Sequence, residues 1–169
     1  MSPLEGRARL FGDHINTDYI ITSRRKRESL DPQFLRHYLF EEIDPAFAAT
    51  IAPGDWIVAG ANFGCGSAME VAVTAVLGAS IRAVLARSFS RTYYRNAVNN
   101  GLFPVVCDTS RIAEGDHLRL DAAAVYNEST NECTPADPLP PIMLAIISAG
   151  GLVNYMRDKD DFDRGPLLR

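Results

Sequence analysis

Cysteine is scarce in this chain, and the three present, Cys65, Cys107 and Cys133, lie far apart with no CxxC pair. Such spacing offers neither a disulfide framework nor the ligand set of a zinc or iron–sulfur centre, so no metal is expected within the chain itself. Histidine is equally thin. His14, His37 and His117 show no HxxxH spacing, which argues against a metallohydrolase. No apolar run reaches the roughly 18–20 residues of a membrane span, and Met1-Ser2-Pro3-Leu4-Glu5 lacks the basic-plus-apolar layout of a signal segment. A cytoplasmic protein with no membrane partner is expected. Positive charge is not in excess either: the net charge of −4 argues against nucleic acid as the main partner. Repeats, low-complexity linkers and composition shifts are all missing, so the 169 residues read as one α/β domain with a core over about 6–157 and a charged tail over 158–169.

What is present is a regular alternation in the middle of the chain. The run 56–61 (WIVAGA) is a short apolar segment after the turn Pro53-Gly54-Asp55 and reads as a buried strand. Ala68, Val71, Ala72, Ala75, Val76 and Ala79 then recur at helical spacing, predicting a helix over 68–79 with one apolar stripe. A strand over 81–86, a helix over 90–99 ending near Gly101, and a strand over 103–107 complete a βαβαβ unit, which calls for a parallel sheet. Ahead of it, residues 6–11 alternate like a half-buried strand. Asp31-Pro32 and Asp44-Pro45 each announce a helix start. Residues 23–29 (SRRKRES) carry dense charge without apolar anchors and read as an exposed, mobile loop. After Asp108 the texture suggests a small antiparallel element, followed by a helix over 142–149 broken at Gly150-Gly151 and resumed over 152–157.

Three constellations can carry chemistry. The first joins the turn Asn16-Thr17-Asp18 to the loop Asn62-Phe63-Gly64-Cys65-Gly66-Ser67. Gly64 and Gly66 permit close backbone approach, and a strand-to-helix junction offers unpaired amides and a positive dipole end to an anion. Ser67 is then either presented to a ligand or merely caps the helix, and Asn-Thr-Asp is either a binding turn or a local cap. The second is Cys65 as the nucleophile of a hydrolase, although the spacing is not G-x-S-x-G and no histidine lies nearby in sequence. The third is the basic segment Arg24 to Arg27, whose guanidinium groups can clamp carboxylates or simply face water.

Taken in order, Gly12-Asp13-His14-Ile15-Asn16-Thr17-Asp18, Pro53-Gly54-Asp55, residues 62–67, Arg87-Ser88-Phe89-Ser90-Arg91, Arg95-Asn96-Ala97, Pro140-Pro141 and residues 149–155 resemble the small subunit of 3-isopropylmalate dehydratase. The resemblance spans most of the chain. It implies a β/β/α swivelling domain of the aconitase superfamily, without a cofactor of its own, that closes over a large subunit carrying a [4Fe-4S] cluster, as a heterodimer or heterotetramer. It further implies a hydro-lyase acting on a small hydroxylated carboxylic acid: Ser67 as the catalytic base, Asp18 as a second catalytic residue organising the site, and Thr17, Asn62, Gly64 and Gly66 lining it. Homoaconitase and methylmalate or dimethylmalate hydro-lyase subunits share the pattern, and a non-catalytic assembly subunit can share the fold. This chain has Ala68, Met69 and Val71 where the family has serine, arginine and histidine. The family's arginine meets a substrate carboxylate, so Arg24 and Arg25 are the substitutes this sequence offers.

Overall fold

The structure, a computed structural model, describes residues 4–121 and 123–157. The charged tail expected over 158–169 lies outside the described residues. One seven-stranded sheet organises the rest, in the order β4-β3-β2-β1-β5-β6-β7. Its strands are β1 (Leu4–Leu10), β2 (Asp55–Ala59), β3 (Ala83–Ala86), β4 (Phe103–Val106), β5 (His117–Asp121), β6 (Ala124–Asn127) and β7 (Glu132–Pro135). β1 to β4 run parallel, while β1 with β5, β5 with β6 and β6 with β7 pair antiparallel. The parallel half therefore extends one strand beyond the βαβαβ unit. The sheet curls far enough for its two outer strands to meet: Cys107 bridges Ala136, and the Asp137 amide donates to the Val106 carbonyl at 2.9 Å.

Strand alternation divides the core in two. Ile57, Ala59, Val84 and Ala86 face the cluster built with the helices that connect the parallel strands. Their neighbours Trp56, Val58, Ala83 and Leu85 join Leu118, Leu120 and Val125 inside the curl. That inner cluster is closed by Ile146 and Ile147 of α7 (Pro141–Ser148) and Tyr155 of α8 (Leu152–Arg157). Strands covered on both faces explain why β2 and β3 read as unbroken apolar runs.

Two helices differ from the sequence expectation. Residues 23–28 form α2 (Ser23–Glu28) rather than a mobile loop: Thr22 caps its start, and Arg24 and Arg25 pair with Glu28 one turn on. The expected 68–79 helix is α5 (Val71–Gly78), which starts three residues late. Gly64 and Gly66 hold positive φ values of 75° and 91°, so the chain arrives as a loop, and Met69 drops into the core before the helix can begin. Nor is α5 striped. It is buried almost all round, at Val71, Ala72, Val73, Ala75, Val76 and Gly78, because α3 (Pro32–Leu35) covers the side away from the sheet. Two short helices, α1 (Thr17–Ile20) and α4 (Phe47–Thr50), complete that layer; α4 begins two residues after the Asp44-Pro45 signal, with the Asp44 carboxylate accepting from the Ala46 amide. The helix α6 (Arg91–Asn100) matches the sequence reading, with Ser90 as N-cap and Gly101 left-handed at its end.

Candidate functional site at the carboxyl ends of the parallel strands

The loops that follow β1, β2 and β3 come together at one end of the parallel half. Open α/β sheets bind ligands there, because helix starts and loop amides converge. Residues 12–18 run beside 60–67: the amides of His14 and Gly64 donate to the carbonyls of Ala61 and Ile15, and that of Thr17 to Cys65, each at 2.8 Å. The third loop locks on through Ser88 and Ser90. Ser88 accepts from the Asn62 amide at 2.8 Å through its hydroxyl and from the Phe63 amide at 3.0 Å through its carbonyl. Ser90, while capping α6, donates its hydroxyl to the Gly64 carbonyl at 2.6 Å.

Thr17 and Ser67 are brought into direct contact. The buried Thr17 hydroxyl donates to the Ser67 carbonyl at 2.9 Å, while the Ser67 side chain stands exposed. Among the described residues, the Ser67 hydroxyl and the amides of Ser67 and Ala68 have no protein partner. Asp18, half-buried, accepts the Ser23 hydroxyl at 2.8 Å, and its amide donates to the Asn16 side chain. Asn62 also holds a left-handed backbone, at φ 57°, and its side-chain amide lies 3.2 Å from His14 Nδ1. Gly64 and Gly66 serve close packing: a Cβ on Gly64 would collide with Tyr93 at its Cβ and Cγ, and one on Gly66 with the Asn16 side chain.

The helix-dipole source expected for Ser67 is not there. α5 begins four residues further on, and the Ala72 and Val73 amides already donate to the Met69 and Glu70 carbonyls. The open amides of the loop itself remain for an anion. Met69, at the position of the family's arginine, is 4% exposed and part of the core rather than of the site. Arg24 is 66% exposed and pairs loosely with Glu28 at 3.8 Å. Arg25 is engaged: it grips Glu41 at 2.9–3.2 Å, reaches Glu28 at 3.0 Å, and lies over the Tyr38 ring.

One pair in this region escaped the sequence. Asp13 accepts from the Ala61 amide at 2.7 Å and from Arg87 at 2.5 Å, and these two contacts hold its carboxyl below the usual carboxylate range. Both residues line an open cleft of about 290 Å³ with Gly60, Thr109 and Ser110. They are 74 residues apart, beyond any local spacing signal. The cysteines sit on separate elements: Cys65 half-buried beside the site, Cys107 buried at the end of β4, Cys133 exposed on β7. Burial pushes the Cys107 thiol up to about 12. Among the described residues no group of three His, Cys, Asp or Glu side chains can hold a metal ion, and no helix is long and apolar enough to cross a membrane.

This fold and loop arrangement are those of the aconitase superfamily, and the family model for the aconitase C-terminal domain matches residues 26–110. The 3-isopropylmalate dehydratase small subunit 1 of Archaeoglobus fulgidus is 41% identical over 155 residues, covering 90% of this chain and 96% of that protein. A methanogen homoaconitase small subunit from Methanocaldococcus jannaschii is 40% identical over 158 residues, covering 92% of each chain. The crystal structure of a 3-isopropylmalate dehydratase from Methanocaldococcus jannaschii superposes with a TM-score of 0.88 at 39% identity, covering 92% of this chain and 94% of that one. The chain belongs to the 3-isopropylmalate dehydratase small-subunit family.

Proposed function

We propose that this chain is the small subunit of a heteromeric hydro-lyase of the 3-isopropylmalate dehydratase type, and that it contributes Ser67 as the proton-transfer group. The observation that carries the reading is the Thr17–Ser67 contact: a buried threonine fixes the backbone of a serine whose own hydroxyl is exposed and unpartnered among the described residues. A serine held like this is ready to meet a substrate, since its position is set without using its oxygen.

A small hydroxylated carboxylic acid would lay a carboxylate against the open Ser67 and Ala68 amides. The Ser67 oxygen, as alkoxide, then takes the proton from the carbon next to the one that bears the departing hydroxyl, and returns it when water adds back. Asp18, held by Ser23, directly follows the Thr17 that fixes the Ser67 backbone. The described residues of this chain do not fit as ligands of an iron–sulfur cluster, so a [4Fe-4S] cluster would belong to a large subunit, where it would supply a Lewis acid for the departing hydroxyl.

The test is reconstitution with a cluster-bearing large subunit, assayed on 3-isopropylmalate, homoaconitate and methylmalate. Ser67→Ala should lower kcat by roughly 10²–10⁴-fold while the pair still assembles. Turnover that survives this substitution, or a pair inert on all three acids, overturns the reading. The methanogen homoaconitase relative, at 40% identity, is the reason for the second acid in that panel.

A further inference from the structure

We propose that Glu41 is a positioning residue for the Asp18–Ser67 site, acting through Arg25 and Ser23; the proposal rests on the hydro-lyase reading of that site. Glu41 lies outside the three loops, in the turn after the 3-10 helix Arg36–Tyr38 that follows α3, yet it is the anchor on which α2 hangs. Its two carboxylate oxygens take the Arg25 guanidinium in a fork, with Nε at 3.0 and 3.2 Å and Nη2 at 2.9 Å. One of them also accepts the Thr22 hydroxyl at 3.2 Å, and Thr22 is the residue that caps α2. The Tyr38 ring backs the guanidinium from 3.7 Å. A bidentate, stacked arginine has little freedom left, and this one is only 16% exposed.

The carboxylate end of the fork is fixed just as firmly. The residue before it, Phe40, is a bulky side chain in the left-handed region, at φ 57°, a conformation that persists only where its surroundings hold it. Its ring is fully buried against Phe11 and Phe47, and its amide donates to the Ile20 carbonyl of α1. The end of α1 thus fixes Phe40, Phe40 aims Glu41, and Glu41 holds Arg25 and Thr22. The first residue of α2 is Ser23, whose hydroxyl donates to Asp18 at 2.8 Å. A chain of contacts runs from the core to Ser23, the one protein donor on the Asp18 carboxylate among the described residues. It commits Arg25 to the protein and leaves Arg24 as the arginine of this pair open to solvent.

The experiment has two arms, both on the full chain. Arg24 to Arg27 present four consecutive trypsin sites. In Glu41→Gln, cleavage there should rise about tenfold while the melting temperature holds, because a local opening has been released rather than the fold. In the reconstituted enzyme, Glu41→Gln should lower kcat/KM about tenfold, Ser23→Ala should do the same, and the double variant should be no worse than either, since residues in series are not additive. Ser23→Thr, which keeps the hydroxyl, should restore activity. An active wild type with unchanged kcat/KM in Glu41→Gln, or with losses that multiply in the double variant, overturns the proposal alone. An inert wild type removes the hydro-lyase reading and the proposal with it, whereas the trypsin arm still reports whether Glu41 holds α2.

Discussion

The Thr17 hydroxyl and the Ser67 carbonyl, 50 residues apart in sequence, are joined by a 2.9 Å hydrogen bond beneath the exposed Ser67 side chain. Thr17→Val keeps the volume and deletes the donor. It should cost about 1–2 kcal/mol in denaturant unfolding, because a carbonyl beside a buried side chain loses its partner, and it should lower kcat/KM of the reconstituted enzyme. Thr17→Ser should separate the two effects: the lost methyl costs about 1 kcal/mol, while the retained hydroxyl keeps activity near wild type.

Met69→Arg recreates the family's residue and should fail as a gain of function. The side chain at 69 is in the core. Burying a guanidinium there should cost about 3 kcal/mol or more, read as a drop in the urea midpoint, whereas Met69→Leu should cost under about 1.5 kcal/mol. An arginine accepted at wild-type stability would mean that this part of the loop turns outward.

Two glycines of the loops should behave oppositely. Gly64→Ala drives a methyl into Tyr93 Cβ and Cγ at a positive φ and should destabilise the fold by about 3 kcal/mol or more. Gly12→Ala meets nothing within 4 Å and should change the melting temperature little. Thermal unfolding of the two variants side by side checks both.

Acid sensitivity should trace to Asp55. Its side chain is 2% exposed, and although burial alone would raise its carboxyl, Arg7, the Ala52 amide and Arg9 outweigh that and hold it below the usual range. A carboxyl with a depressed folded-state pKa contributes stability above its unfolded value of about 4, and that contribution is lost as pH falls through the folded value. The wild-type melting temperature should therefore fall below about pH 4, and Asp55→Asn should flatten that fall while lowering stability at pH 7.

The sequence carried the parallel half well, because strands buried on both faces announce themselves as apolar runs, and α6 well, because Ser90 and Gly101 mark its ends. It carried α2 and the start of α5 badly. α2 is held by Glu41, a tertiary partner 16 residues beyond Arg25, and its local charge density reads as loop. The apolar spacing from Ala68 onward continues back into a segment whose backbone is set by two left-handed glycines, which periodicity does not register. The Ser67 turn was legible as a glycine-flanked strand-to-helix junction; what fixes it was not, since Thr17 and Ser90 reach it from the loops after β1 and β3.

The position of β1 carries a consequence for biosynthesis. It is made before either of its neighbours, yet it lies in the interior of the sheet order, between β2 and β5, with Leu4 opposite Leu120. Half of its ladder has nothing to pair with until more than a hundred further residues have been translated. The nascent chain must hold an open strand edge over that interval, and its closure is a long-range event of the kind that slows folding. A truncation at any point ahead of β5 would take away a neighbour of β1.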